Sequence, residues 1–188
     1  MKLILAVLFF MATAVPVFPQ ASPTAIRNGS RFVAGAGISY FQSDWNGRLV
    51  GPTAWVDWNF YNSSPLLKGF GLELEVRDLN YARVVRKMRM DTAEGGLIYT
   101  WRRYRRFNPY GKFLAGFGSI DFPNYLPSYS HDTRAVYAPG FGAEYRVLGS
   151  VWVRGDYEYQ FWPDFIHNHA LNPYGITASA SYHFGHVY

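Results

Sequence analysis

Apolar and polar residues alternate with a period of two along most of the chain. In residues 32–41 the apolar positions include Phe32, Ile38 and Tyr40, while glycine and serine fill most positions between them. In residues 70–77 the polar members of the alternation are a glycine, two glutamates and an arginine. Alternation over this length is typical of β-strands whose two faces meet different surroundings. We therefore predict a chain built from strands.

Eight segments show this strand character. They are residues 32–41, 53–61, 70–77, 92–101, 110–119, 135–147, 151–161 and 174–184. The shorter connections are residues 62–68, 105–108 and 148–150, the longer ones are 80–90, 121–134 and 163–173, and 42–48 is intermediate. Short turns at one end and long loops at the other are typical of outer-membrane barrels, whose strands need about 9–11 residues to cross the bilayer. We predict an all-β fold, an eight-stranded antiparallel up-and-down transmembrane β-barrel.

Aromatic residues make up 19% of the chain, and charged residues only 16%, against about 25% in typical soluble domains. Many of the aromatics fall on the apolar faces near strand ends. These are Phe32, Tyr40, Phe60, Tyr61, Tyr99, Trp101, Tyr110, Tyr137, Tyr145, Tyr157, Tyr159, Phe161, Tyr174, Tyr182 and Phe184. Girdles of aromatic side chains mark both lipid–water boundaries of membrane barrels. We expect the apolar faces to point outwards into lipid.

The first residues have the layout of a secretory signal peptide. Lys2 is followed by a short apolar run and then by alanines and prolines, and the run is shorter than the roughly 20 residues of a spanning helix. We predict a signal peptide at residues 1–21, cleaved somewhere between 14 and 25, and a leader at 22–30. The barrel is expected at 31–184, with a short tail at 185–188.

The polar faces carry acids and bases of mixed sign. They are Glu73, Glu75, Arg77, Glu144, Arg146, Arg154, Asp156 and Glu158. An eight-stranded barrel is only wide enough for its interior to be filled by side chains, and single charges in a dry interior are costly. We predict that these residues form a structural network of ion pairs in the lumen. An ion path through the lumen is the alternative interpretation.

Two basic clusters lie outside the strands. The first, in a long loop, contains Arg83, Arg86, Lys87 and Arg89. These residues could bind lipopolysaccharide phosphates if the loop is extracellular, although a solvated basic loop is the simpler interpretation. The second surrounds a short turn and contains Arg102, Arg103, Arg105 and Arg106 beside Trp101. Its composition suits an anchor at the membrane interface.

Sites for catalysis or cofactors are not evident. The chain has no cysteine, which excludes disulfides, thiolate metal sites and cysteine nucleophiles. His167 and His169 lie near Asp164, but the sequence does not secure a third metal ligand, and a solvated loop is the favoured interpretation. Phosphate-binding and dinucleotide-binding glycine motifs do not occur. We predict no catalytic residue, no cofactor and no metal.

Four segments together resemble the outer-membrane β-barrel domain family, the small barrels related to OmpA and OmpX. They are residues 108–113 (Asn-Pro-Tyr-Gly-Lys-Phe), 140–146, 154–159 and 180–184. The resemblance implies that the termini lie in the periplasm. It also implies insertion by the outer-membrane assembly machinery with periplasmic chaperones, with Tyr182 and Phe184 in the last strand as the assembly signal. Family members usually end at the terminal aromatic residue, whereas here four residues follow Phe184.

The lipid A deacylases of the outer membrane offer an enzymatic comparison. They carry a His-x-Ser-Asn pattern, but His167 is followed here by Asn168, His169 and Ala170, so the nucleophile is missing. We therefore expect a non-enzymatic, monomeric outer-membrane protein with a structural, envelope-integrity or surface-interaction role. Its expected partners are outer-membrane lipid and lipopolysaccharide, and not nucleic acid. The alternatives are a secreted soluble lipocalin-like barrel that binds a small apolar ligand, or a narrow channel.

Overall fold

The computed structural model describes residues 30–44, 47–60, 69–82, 88–102, 106–121, 131–165 and 169–186. The predicted signal peptide lies outside these residues. The strands are β1 Ser30–Ser43, β2 Gly47–Asn59, β3 Phe70–Leu79, β4 Tyr81–Ala82, β5 Arg89–Thr100, β6 Phe107–Asp121, β7 His131–Leu148, β8 Val151–Tyr159, β9 Trp162–Phe165, β10 His169–Leu171 and β11 Tyr174–His186. Within the described ranges no helix is long and apolar enough to span a membrane.

Eight of these strands form a closed barrel. Each pairs antiparallel with its neighbour in the order β1, β11, β8, β7, β6, β5, β3 and β2, and β2 pairs with β1 to close the ring. Ala36 in β1, for example, faces Ala54 in β2 on one side and Ala180 in β11 on the other. Closure leaves no unpaired strand edge, as a structure in lipid requires. The predicted eight-stranded antiparallel up-and-down barrel is confirmed.

The predicted strand ends are less accurate than the predicted strands. The connection predicted at 121–134 is shorter, because β6 runs to Asp121 and β7 begins at His131. Polar residues such as Thr133 occupy the outer face there, so the apolar alternation ends before the hydrogen bonding does. The last strand likewise runs to His186, which pairs with Ser30, instead of stopping at Phe184. The loop predicted at 163–173 contains the β9–β10 hairpin.

The two faces of the barrel wall meet different surroundings. Leu74 is 67% exposed on the outer face, whereas the neighbouring Glu73 is fully buried. Phe117 and Ile176 are also exposed on the outside. Tyr110, which was assigned to the aromatic girdles, is buried in the lumen, so that assignment is wrong. It is an odd number of residues from the outward Phe117, and the alternation therefore places it on the inward face of β6. Tyr61 lies outside the described residues.

The barrel has two distinct ends. We call the end that carries Ser30 and His186 the terminus end. It also carries the connections between β2 and β3, β5 and β6, and β7 and β8. The opposite end, which carries the β9–β10 hairpin, is the loop end. These two names locate the side chains of the lumen along the barrel axis.

Candidate functional site

The lumen is closed at the loop end by packed apolar side chains, which we call the apolar cap. The cap comprises Phe41, Leu49, Leu79, Met88, Met90, Ile120, Val136, Trp162 and Leu171, all nearly or fully buried. Trp162 comes from β9 and enters the space left by Gly118, where any side chain would overlap its ring. The hairpin therefore contributes the largest ring of the cap.

Below the cap, Lys112 is surrounded by carboxylates. Its Nζ lies 3.1 Å from Glu73 Oε1, 2.5 Å from Glu75 Oε2 and 2.9 Å from Glu158 Oε2. Asp156 Oδ1 is 3.5 Å away. These side chains come from β3, β6 and β8 and are at most 3% exposed. One ammonium group thus joins strands from opposite parts of the barrel wall.

We call Lys112 and the four carboxylates around it the charged layer. Arg77 connects this layer to the cap. Its Nη1 donates to Glu158 Oε1 at 2.9 Å, and its Nη2 donates to Glu75. Its guanidinium lies 4.4 Å from the centre of the Phe41 ring in the cap. Gln160 makes a second connection: its Nε2 donates to Glu158, and its Oε1 accepts from Trp162 Nε1 at 3.0 Å. The apolar cap and the charged side chains are therefore in direct contact inside the lumen.

Arg154 occupies the middle of the lumen between two aromatic rings. Its guanidinium carbon lies 4.0 Å from the centre of the Trp55 ring and 4.4 Å from that of Tyr110. Its Nε donates to the Tyr110 hydroxyl at 2.6 Å, and its Nη2 donates to Glu73 Oε2 at 2.7 Å. Asp57 Oδ2 is 3.5 Å from Nη1. The side chain is only 2% exposed, and its contacts satisfy both the charge and the planar faces of the guanidinium.

A smaller polar group lies towards the terminus end. His183 Nε2 is 3.2 Å from Glu144 Oε2, and the His183 ring stacks on Trp152 with 4.6 Å between centres. Asn108 Nδ2 donates to Glu144 Oε1 at 3.2 Å. All four residues are at most 8% exposed. Side chains therefore fill the lumen from the cap to this end.

Acids outnumber cations among the described residues of the lumen. The buried acids are Asp57, Glu73, Glu75, Glu94, Glu144, Asp156 and Glu158, against the cations Arg77, Lys112 and Arg154, with His183 besides. Oδ1 of Asp57 and Oε2 of Glu94 have no hydrogen-bond partner. Each cation contacts several carboxylates. Loss of one cation would therefore leave several buried carboxylates without their positive partner.

Seven of the eight charged residues assigned to the lumen from the sequence lie there, but Arg146 does not. It is half-buried at the terminus end, where its Nε donates to Gly149 O at 2.8 Å. Strand pairing shifts register between Arg146 and Leu148, next to the turn, which ends the alternation before the arginine can enter the lumen. The sequence assignment of Arg146 to the network is wrong.

Three charged members of the network were missed: Asp57, Glu94 and Lys112. The alternation contains the signal for them. Phe113 and Phe117 are large apolar residues on one face of β6, which assigns Lys112 to the other face. In the same way, exposed Leu97 assigns Glu94 to the inner face of β5.

The remaining predicted sites lie mostly at or beyond the limits of the described residues. Arg83, Arg86 and Lys87 are outside them, whereas Arg89 begins β5 and pairs with Asp91 at 2.8 Å and Asp78 at 3.4 Å. Tyr182 and Phe184 point outwards, with ring centres 4.9 Å apart. His167 is also outside. In the described part of the chain, no group of three or more His, Cys, Asp or Glu residues could hold a metal.

Comparison with known proteins identifies this architecture. The family model described as "Outer membrane protein beta-barrel domain" matches residues 5–184. The chain belongs to this outer-membrane β-barrel family. No curated relative matches the sequence. This chain also resembles solved structures. The sequence identities are low, so the likeness shows the fold alone.

Three of these structures illustrate the likeness. Neisserial surface protein A is 13% identical with a TM-score of 0.66, and the match covers 82% of this chain and 98% of that one. Ail, the attachment invasion locus protein of Yersinia pestis, is 14% identical with a TM-score of 0.51, and the match covers 82% of this chain and 99% of that one. OprG from Pseudomonas aeruginosa is 10% identical with a TM-score of 0.51, and the match covers 82% of this chain and 95% of that one.

The family and the fold place this barrel in the bacterial outer membrane. The soluble lipocalin-like alternative requires an apolar interior and a polar exterior. The barrel has the reverse arrangement, since Glu73 and Glu158 are buried while Leu72, Leu74 and Val153 are exposed. An apolar outer face is what a lipid environment requires, so that alternative is wrong.

Proposed function

We propose that this protein is a non-conducting, non-catalytic barrel whose role is structural or surface-directed, in envelope integrity or in contacts at the cell surface. The observation that carries the proposal is the filled lumen. The apolar cap, the charged layer and the His183–Glu144 group follow one another along the axis. An ion would have to displace buried, paired charges to pass. What remains for function is the outer wall and the loops.

The proposal includes the route to the membrane. We propose that a cleaved signal peptide exports the chain and that periplasmic chaperones and the barrel assembly machinery insert it with both termini in the periplasm. The outward rings of Tyr182 and Phe184 in the last strand are consistent with an assembly signal. Once inserted, the monomeric barrel contacts outer-membrane lipid. Lipopolysaccharide is the proposed partner of the basic loop that ends at Arg89.

Electrical recording tests the closed lumen. Folded protein added to a planar bilayer should give no discrete conductance steps, because side chains occupy the whole lumen. Folding is checked first by heat-modifiable migration: unboiled protein should run differently from boiled protein in a detergent gel. A general porin recorded in the same bilayers serves as the positive control. Reproducible unitary steps from the folded protein would contradict the proposal and favour the narrow channel.

A further inference from the structure

The acidic residues of this chain are distributed unevenly along the barrel. Seven of the chain's thirteen acids point into the lumen. The other six are at the loop end: Asp44, Asp78, Asp91, Asp121 and Asp132, with Asp164 in β9. Among the described residues, none with an acidic side chain therefore lies on the outer surface of the terminus end.

Several arginines of the described residues lie at that same end. We call Arg31 in β1, Arg106 directly before β6 and Arg146 near the end of β7 the basic collar. Arg31 and Arg106 are exposed, and Arg146 is half-buried. Arg146 Nε donates to the carbonyl oxygen of Gly149 at 2.8 Å. This bond positions the side chain without neutralising it.

The loop end differs, because two of its arginines have acidic neighbours. Arg89 lies between Asp78 and Asp91, and Arg134 Nε is 3.0 Å from Asp132. The outer surface of the barrel is therefore mixed in sign at one end and positive at the other. Exposed positive charges that have no acidic neighbours attract anions.

The surroundings of the collar indicate what kind of anion it meets. Phe107 and Tyr145, each next in sequence to a collar arginine, are 44% and 45% exposed on the outer wall, and Trp101 directly after β5 is 54% exposed. Arg31 lies 6.0 Å from the centre of the Trp58 ring, which also faces outwards. Aromatic side chains of this kind sit at the headgroup level of a bilayer. The arginines beside them are thus at the depth of the lipid phosphates.

We infer that the basic collar binds the phosphates of anionic phospholipids in the leaflet at the terminus end, and that it selects them over zwitterionic lipids. A guanidinium donates two parallel hydrogen bonds to a phosphate, and attraction to an anionic headgroup adds to these bonds. This inference rests on the proposed function, because it assigns the collar to the periplasmic leaflet. The binding itself depends only on the collar being at a lipid interface.

Tryptophan quenching by brominated lipids tests this inference directly. Trp58 and Trp101 face lipid at the terminus end, whereas Trp55, Trp152 and Trp162 are buried. In a Trp45→Phe background the fluorescence quenched by lipid therefore reports on the collar. The protein is folded into vesicles of phosphatidylcholine and phosphatidylglycerol in which one or the other carries brominated chains. The two quenching curves give the relative affinity for the anionic lipid.

Wild-type collar residues should give a preference for phosphatidylglycerol of roughly fivefold or more, and added NaCl should weaken it. The triple variant Arg31→Gln, Arg106→Gln, Arg146→Gln should lose the preference. The matched control Arg48→Gln, Arg89→Gln, Arg134→Gln removes the same charge from the loop end and should keep it. Equal quenching by both lipids in the wild type, or the same loss in both triple variants, would overturn the inference.

The outcomes also separate this inference from the proposed function. Heat-modifiable migration verifies that each variant is folded. A folded, non-conducting barrel without lipid preference would contradict the collar alone. A conducting barrel that keeps the preference would contradict the proposed function and leave the collar standing.

Discussion

Replacing Arg154 with Gln should destabilise the folded barrel by about 3–5 kcal/mol. The substitution removes the guanidinium that contacts Glu73 at 2.7 Å and Asp57 at 3.5 Å. Both carboxylates would remain buried in a layer where acids already exceed cations. The rings of Trp55 and Tyr110 would also lose the cation between them. The free energy of unfolding is measured by urea titration of protein folded into lipid vesicles.

Three companion variants show whether charge is the cause. Arg154→Lys keeps the charge without the planar fork and should be intermediate. Glu94→Gln removes a surplus acid whose Oε2 has no partner, and it should leave stability within about 1 kcal/mol or raise it. Arg146→Gln, at the rim, should change stability by no more than about 0.5 kcal/mol. Equal losses in Arg154→Gln and Arg146→Gln would contradict the network.

Replacing Trp162 with Ala should cost about 3–5 kcal/mol, as expected for a large aromatic side chain removed from a packed core. Trp162 is fully buried among the side chains of the cap. Its indole nitrogen holds Gln160, which in turn donates to Glu94 and Glu158. Its loss would therefore leave a void and a buried amide without its partner. The same urea titration measures the change.

Trp162→Phe is the matched control. It keeps most of the ring volume but lacks the N–H group, so it should lose less stability than Trp162→Ala. Gly118→Ala tests the same contact from the opposite wall, because its new methyl group would overlap the Trp162 ring. Overpacking of this kind costs about 1–3 kcal/mol. Wild-type stability in both Trp162→Ala and Gly118→Ala would contradict the packing of Trp162 in the cap.

The alternation of residues predicted the barrel because a strand in lipid must separate two kinds of side chain. The alternation in residues 70–77 placed Glu73 and Arg77 on one face and Leu74 on the other, and the alternation in residues 151–161 placed Glu158 on the polar face. The structure has the same arrangement. Strand ends were predicted less well. Above the lipid both faces of a strand can be polar, so the pattern no longer reports on hydrogen bonding. The extension of β7 to His131 shows this.

The apolar cap could not be predicted from local pattern. It depends on a hairpin folding back into the lumen, and the sequence around Trp162 contains the prolines and histidines of an ordinary loop. Inward residues at the loop end, such as Phe41 and Met90, are apolar, although the inward face of β5 carries Glu94 nearer the middle of the barrel. A single rule of polar inside and apolar outside fails there. The inward residues are apolar there because they pack against Trp162 and Leu171 of the hairpin in one buried cluster.

Collision rates of spin labels test the central claim most directly, which is that the apolar face of the wall meets lipid. The chain has no cysteine, so Leu74→Cys, Phe117→Cys and Ile176→Cys each give one labelling site, with Asp44→Cys at the loop end as the aqueous control. In vesicles the first three labels should collide often with dissolved oxygen and rarely with a water-soluble nickel chelate. The label at Asp44 should show the opposite. Frequent nickel collisions at Leu74, Phe117 and Ile176 would contradict the account.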